Sequence, residues 1–573
     1  MDITRREALR LGVVGGGGLF LSQGFPTPVS ASGVLSRQIE RFVQPFKPLP
    51  VLAPKRRYEG GRRPLDAYEI TMRKAQIQLA PEMDNPTTVW AYNGQFPGPV
   101  IRQRGGFRPE DQGRSSLVRF INKLGNDPEG YPINTSVHLH GMASLPQYDG
   151  YAEDLTPPDH FKDYYYPNDR AATIWYHDHA IDKTSRNVFM GLAGMYIVED
   201  EEERQLNLPA GEYDVPLMLQ DARLGRDDQL FFYDRGNVSQ YGDIILVNGV
   251  PWPHMKVARR KYRFRVLNAS TSRAFQLVLS QKEASLTPQD WLYVIGTDCG
   301  LIEQPVKVGF DLSSNQDSAN VLQIWPAERY EFIIDFSKYP LGTQLYLKNP
   351  TLEMSSNIDS DSRTQTVMRF DIVQDAADDS ALPGKLRDFE PLADKIVPNQ
   401  AIPIREFVFG TGQEWTINGK IWDPRRVDAN PKPGDIEVWS LTNRGGGWVH
   451  PVHIHFTDWQ ILDRSGQPPL PYERGWKDVF RIGHGETVRV IAEFGRRNGD
   501  YIHGKFMFHC HNLVHEDHAM MTQFEIGTDG PCPCCDPARP IAEMGDYGSD
   551  GIPAACGVPD PDHAYCEEKI CET

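Results

Sequence analysis

From Tyr68 onward the chain is written in short runs where apolar and polar residues alternate, separated by Gly, Pro, Asn and Asp. A strand turns successive side chains to opposite faces, so period-two alternation bounded by turn residues predicts half-buried β-strands. Tyr262-Arg263-Phe264-Arg265-Val266-Leu267-Asn268 shows the pattern, with apolar residues on one face and arginines on the other. Comparable strands ending in asparagine are predicted at 117–122 and 438–443. Ahead of each lies an Asn-Gly pair soon followed by an aromatic: Asn93-Gly94 with Phe96, Asn248-Gly249 with Trp252, and Asn418-Gly419 with Trp422. Asn-Gly suits the tight hairpin turn whose two central residues are left-handed. One such pair is common; three, each ahead of an Asn-terminated strand, predict three repeated β-domains. The expected fold class is all-β, three Greek-key β-sandwiches.

The expected layout is a targeting segment at 1–31, an arm at 32–65, sandwich domains at 66–210, 211–390 and 391–530, and a cysteine-rich tail at 531–573. The arm is rich in Pro, Arg and Lys and lacks steady periodicity. The first boundary follows the acidic run Glu199-Asp200-Glu201-Glu202-Glu203, which reads as solvated; the second lies in the polar stretch 375–394.

The 573-residue length suits three ordinary domains, and 40% hydrophobic residues suffice for large cores. A formal charge of −17 argues against a nucleic-acid partner, which would want a basic face. The start carries a twin-arginine pair, Arg5-Arg6, then a short apolar run with four consecutive glycines and the small-residue pattern Val29-Ser30-Ala31. That run is too short to span a bilayer, so it reads as a twin-arginine export signal, with a periplasmic or extracellular destination and no membrane span. Six of the eight cysteines crowd into the tail, at Cys532, Cys534, Cys535, Cys556, Cys566 and Cys571. An oxidising compartment makes disulfides the expectation there, with a copper-binding tail as the alternative. Cys299 reads as a small buried apolar residue.

The chemistry concentrates in Phe508-His509-Cys510-His511-Asn512-Leu513-Val514-His515-Glu516-Asp517-His518-Ala519-Met520. If extended, His509-Cys510-His511 puts two imidazoles on one face and a thiol on the other, so one tripeptide can serve two metal centres. A thiolate, imidazoles and a thioether are the ligands of a blue-copper electron-transfer site. His-x-His recurs at His138-Leu139-His140, His177-Asp178-His179 and His453-Ile454-His455, the last preceded by His450, so that with His515 ten of the 16 histidines fall into these motifs. A four-ligand structural zinc site cannot absorb that many.

These four motifs, with Trp175-Tyr176-His177-Asp178-His179-Ala180, Gly447-Trp448-Val449-His450-Pro451-Val452-His453-Ile454-His455 and Phe161-Lys162-Asp163-Tyr164-Tyr165-Tyr166-Pro167, resemble the multicopper oxidases. Trp448, two residues before His450, and the Tyr-Tyr-Tyr stretch favour the bilirubin oxidase branch. The resemblance implies cupredoxin-like domains and four copper ions: one blue type 1, one type 2 and a type 3 pair. It assigns Cys510, His450, His515 and the weak axial Met520 to the blue copper, Met521 being the neighbouring candidate. His138 and His453 match the type 2 copper; His140, His177, His179, His455, His509 and His511 match the type 3 pair. Asp149 and Glu516 match carboxylates that supply protons, their bland readings being a turn Asp and a surface Glu. Trp448 would lie against His450 at the substrate edge.

The implied activity is oxidation of phenolic, aryl-amine or tetrapyrrole donors one electron at a time, coupled to four-electron reduction of dioxygen to water. Competing readings are a broad laccase, a manganese or copper ion oxidase, and a copper-sequestering protein. Donor choice is expected in loops such as 443–447 and 463–472. His160, His254, His484, His503, His518 and His563 read as exposed or structural.

Overall fold

A computed structural model describes residues 38–544 except 60–62, 107, 235, 289, 311–320, 351–361, 397–401, 498–499, 529 and 531. The expected targeting segment, His563 and the cysteines from Cys556 onward lie outside the described residues.

Among the described residues the strands form three pairs of sheets and one small two-stranded ribbon. In the first part of the chain a six-stranded sheet built on Leu65–Ile77, Ser115–Lys123 and His160–Tyr166 accompanies a four-stranded sheet of Gly98–Arg104, Val137–His140, Ala172–Asp178 and Ala193–Glu199. Sheets of seven and five strands follow, then sheets of five and four. The last four-stranded sheet holds His450–Ile454, Val479–Ile482, Gly504–Cys510 and Met521–Ile526. The fold is all-β, in three cupredoxin-like sandwiches. The arm residues 38–59 cross from the middle repeat, where Phe42 N–H donates to Trp252 O at 2.9 Å, to the first, where Leu52 N–H donates to Val100 O at 2.8 Å. Past the third repeat, Arg539–Pro540 adds a short strand beside His160 and Phe161 of the first.

The recurring asparagines do the same work three times. Both residues of each Asn-Gly pair are left-handed, with φ of 53° and 71° at Asn93-Gly94, 50° and 78° at Asn248-Gly249, and 54° and 70° at Asn418-Gly419. Each Asn Oδ1 also accepts a backbone N–H from a neighbouring strand: Thr71 (2.8 Å), Met218 (2.8 Å) and Val408 (2.7 Å). The strand-ending asparagines are buried, and each reaches two backbone carbonyls in loops or at strand ends. Asn122 Nδ2 donates to Ile133 O and Thr156 O, Asn268 to Arg273 O and Ile324 O, and Asn443 to Trp448 O and Ile482 O. Buried carbonyls left without donors would cost about 1–3 kcal/mol each, so one side chain here serves as the donor.

The acidic run differs from its solvated reading. Asp200 caps the short helix Glu201–Gln205 by accepting Glu203 N–H and pairs with Arg387 at 2.9 Å. Glu203 is 5% exposed and lies 2.8 Å from Arg263 and 3.0 Å from Arg265. Arg265, fully buried, also meets Asp214 at 2.8 Å, Glu199 at 2.7 Å and Glu331 at 3.1 Å. The polar face of 262–268 is therefore an ionic seam between the first and middle repeats. Burial pushes the Asp214 and Glu203 carboxyls up, but the Arg263 and Arg265 guanidiniums outweigh it and hold both below the usual carboxylate range. A depressed folded-state value contributes stability that is complete above the unfolded value near 4 and is lost as pH falls through the folded one. Stability should thus decline below about pH 4. Asp214→Asn should flatten that decline in melting temperatures measured from pH 6 to 3; an unchanged slope would place the acid sensitivity elsewhere.

The third repeat packs around Trp439, Trp459, Phe494, Phe508 and Phe524, with Trp439–Trp459 centroids 4.9 Å apart and Trp439–Phe508 5.3 Å. Burying each large ring contributes about 2–3 kcal/mol. Phe506 and Phe508 in this core anchor the strand Gly504–Cys510 and so fix the direction of Cys510.

Candidate metal centres

Strand register decides which side chains meet. Between Val137–His140 and Ala172–Asp178, His138 lies opposite His177, and His140 opposite Trp175. Residues directly opposite share a face, so His138, His140 and His177 look the same way. In the third repeat His453 lies opposite His509 and Val452 opposite Cys510. His509 therefore faces the first repeat, while Cys510 faces its own core beside Val452, Phe508 and Met520. The alternation read in the tripeptide is realised.

Among the described residues five buried donor groups result, with the ligand atoms of each within 4.8 Å of one another: His140, His177 and His511; His179, His455 and His509; His138, His140 and His453; His450, Cys510 and His515; and His138, His455 and the carboxylate of Asp149. The first three draw on both terminal repeats. In the fourth, Cys510 Sγ lies 3.4 Å from His450 Nδ1 and 3.6 Å from His515 Nδ1, and the two nitrogens are 3.2 Å apart.

The hydrogen bonds show what these groups can hold. A neutral imidazole has one N–H. His138 Nδ1 donates to Asp149 O, and His453 Nδ1 donates to Asp478 O at 2.9 Å. Their Nε2 lone pairs then face each other at 3.3 Å. His455 Nδ1 donates to Asp149 Oδ2 at 2.8 Å, and His509 Nδ1 sits 2.8 Å from Glu516 Oε2 and 3.3 Å from Cys510 O, which leaves their Nε2 atoms opposed at 3.2 Å. His140 is turned round: Nε2 lies 3.2 Å from Asp478 Oδ1, and buried Nδ1 has no protein partner. His177 Nε2 and both His511 nitrogens are also buried without one. Opposed lone pairs in a buried cluster repel, and a cation reverses the sign. Burial drives the His177 and His450 rings down to about 3 and His179 to about 4, so protons do not supply that charge near neutrality. Burial likewise pushes the Cys510 thiol up, so a thiolate there needs a metal beside it. Thiolate with two imidazoles suits copper, and imidazole-only groups suit it too.

Met520 is buried in the same core as Cys510, whereas Met521 packs on the opposite side with Tyr151, Trp422 and Met507. The carboxylates also differ. Burial pushes the Asp149 carboxyl well up; burial acts on Glu516 in the same sense, but His509 and His179 prevail and hold it down to about 2. Neither is a surface residue: Asp149, which ends the short turn Pro146–Tyr148, and Glu516 are each 3% exposed.

Three residues that no motif marked also reach these groups. Trp415 lies 5.6 Å from His450 and stacks on His515 at 3.7 Å, Phe409 stacks on His450 at 6.1 Å, and Trp448 stands edge-on to His515 at 5.5 Å. Gly446 and Gly447, just ahead of Trp448, are left-handed and form the turn that delivers it, closed by Trp448 N–H donating to Gly445 O at 3.1 Å. Asp478 joins His140 and His453 to Arg329 of the middle repeat, 2.6 Å away. Val238 of the middle repeat accepts His515 Nε2–H at 2.9 Å, which leaves Nδ1 for the thiolate site. No motif marks Trp415, Asp478 or Val238; each acts across repeats. Cys299 is buried as expected, its Sγ 3.7 Å from Asp478 Oδ2. Of the tail, Cys532 is in a disulfide and Cys534 is a free thiol.

The loop 443–447 does lie at the thiolate site, since a Cβ on Gly445 would come 3.1 Å from His450 Nε2. Tyr472, at the end of 463–472, instead packs into the middle repeat's core, its hydroxyl donating to Val321 O at 3.2 Å.

Comparison with known proteins agrees with this geometry. The family description "Multicopper oxidase" matches residues 73–203 and again 400–530. Bilirubin oxidase of Albifimbria verrucaria is 39% identical over 471 residues, 80% of this chain and 76% of the relative. The laccase of Bacillus subtilis is 34% identical over 80% of this chain and 94% of its own. A variant of McoA multicopper oxidase from the hyperthermophile Aquifex aeolicus superposes with a TM-score of 0.72 at 26% identity, covering 85% of this chain and all of that one. With relatives above 30% identity along four-fifths of its length, and with histidines and a cysteine gathered in buried groups that call for a metal, the chain belongs to the multicopper oxidase family.

Proposed function

We propose that this oxidase takes single electrons from a phenolic, aryl-amine or bilirubin-like donor and uses four of them to reduce dioxygen to two waters. The observation that carries the reading is the pairing of a Cys510, His450, His515 group with imidazole-only groups through one tripeptide. Copper, when bound, supplies the one-electron and dioxygen chemistry. Cys510, His450 and His515, with Met520 as the weak axial ligand, would hold the blue copper. His138 and His453 would hold the type 2 ion, and His140, His177, His179, His455, His509 and His511 the type 3 pair. His509-Cys510-His511 joins the two centres by covalent bonds. Asp149 and Glu516, the carboxyls touching the imidazole face, are placed to hand on protons, and Trp448 to border the donor. The similarity to a bilirubin oxidase supports a donor of that kind. With domain limits near 210 and 390, all twelve ligands would fall in the outer two domains.

The twin-arginine start supports export to the periplasm or beyond; among the described residues no helix is long and apolar enough to cross a membrane. Metal analysis should find four coppers per chain, and oxygen uptake should be measured with bilirubin, a methoxyphenol and manganous ion. The highest kcat/KM is expected with one of the organic donors. A manganous preference would turn the reading to a metal oxidase, and no uptake with any of them would leave only copper binding.

A further inference from the structure

Among the described residues nine large apolar side chains are well exposed, and of these only Phe231, 44% exposed, and Tyr233, 50% exposed, stand two residues apart. Their rings lie 6.3 Å apart at 24°, nearly parallel. The segment carrying them is fastened: Phe231 N–H donates to Arg223 O at 2.8 Å, Tyr233 N–H to Gln240 Oε1 at 2.7 Å, and the Val238 and Ser239 N–H groups to Asp234 O at 3.2 Å. Fixed, adjacent aromatic surface left in water marks a binding surface more often than isolated apolar residues do.

The same segment forms a wall of the thiolate site. Val238 O accepts His515 Nε2–H at 2.9 Å, Asn237 O accepts Trp415 Nε1–H at 2.7 Å, and Asp234 Oδ2 lies 3.4 Å from His518 Nε2. Val238 packs with Trp448 against the third repeat's core. Two exposed rings are thus built into the short loop whose carbonyls hold His515 and Trp415.

We infer that Phe231 and Tyr233 are a docking platform for planar aromatic donors, holding them beside the Val238 carbonyl that is hydrogen-bonded to His515. The inference rests on the oxidase reading and names the donor class it serves. Each docked donor loses one electron to the thiolate site and one proton to water; four such losses match one dioxygen and two waters. The rings are positioning residues, so they act on binding of the donor and not on the chemistry of oxygen.

The copper-loaded protein tests this with two donors, 2,6-dimethoxyphenol and hexacyanoferrate(II), the second offering no ring to stack. Stacking energies of two aromatic contacts correspond to about tenfold in affinity. The ratio of kcat/KM for the phenol to that for hexacyanoferrate should fall about tenfold in the Phe231→Ala, Tyr233→Ala double variant, through KM and not kcat. Tyr233→Phe should restore most of the ratio, and Tyr131→Ala, which removes a 66% exposed ring in the first repeat, should leave it alone. An unchanged ratio in the double variant, or an equal fall in Tyr131→Ala, overturns the platform while oxygen uptake with hexacyanoferrate still upholds the oxidase. No uptake with either donor in the parent protein overturns both.

Discussion

Cys510→Ser should remove the blue absorption, lower the copper content from four ions to three and cut oxygen uptake by more than about a hundredfold. Changes to residues that merely support a ligand already cost about 10–100-fold, and here a ligand itself is exchanged. The serine hydroxyl is a hard donor that ionises far less readily than a thiol, so it replaces neither the softness nor the charge of the thiolate. The imidazole groups contain no sulfur and should keep their ions. Absorbance, metal content and oxygen uptake on one preparation check all three statements. If the thiol were only a small buried apolar group, Cys510→Ser would lower stability and leave uptake and colour in place.

Arg329→Met is expected to cost about 3–5 kcal/mol of stability, because it leaves a buried carboxylate without its partner. The guanidinium is fully buried, sits 2.7 and 2.6 Å from the two Asp478 oxygens, and donates to Thr173 O at 3.1 Å and Asp298 O at 3.0 Å. It thereby ties the middle repeat to both others. Asp478 in turn holds His140 and His453, so weaker copper retention should accompany the lower melting temperature. Retention is read by dialysis against a chelator. Replacing both partners, as Arg329→Met with Asp478→Asn, should recover part of the stability, since no unpaired charge remains, but not the copper retention, since the amide supports the rings less well. Full retention in both variants would show that Asp478 serves the fold alone.

How legible the protein was depended on the range of each interaction. The strands at 117–122, 262–268 and 438–443 could be read because a strand's period is local and each ends in an asparagine that must cap the loop after it. The same sequence reasoning misjudged Glu203, since an acidic run is ordinarily solvated and only the docking of Arg263 and Arg265 makes burial tolerable. Trp415 was not singled out, because no motif surrounds it and only the fold brings its ring to 5.6 Å from His450 and 3.7 Å from His515. Asp478 was invisible for a further reason: a charged residue at the start of a strand has no signature until the partner repeat covers it.

What the sequence determined by itself is therefore whatever is held in consecutive residues: the all-β class, the three-fold Asn-Gly and strand-ending Asn pattern, and the alternation that sends His509 and Cys510 to opposite faces. Those follow from backbone geometry, which needs no second segment. The tertiary structure alone decided which nitrogen of each imidazole is free, that Trp415 and Val238 close the thiolate site, and that Arg329 binds three repeats together. These depend on atoms hundreds of residues apart in the chain, brought within hydrogen-bonding distance only when the repeats pack and water leaves.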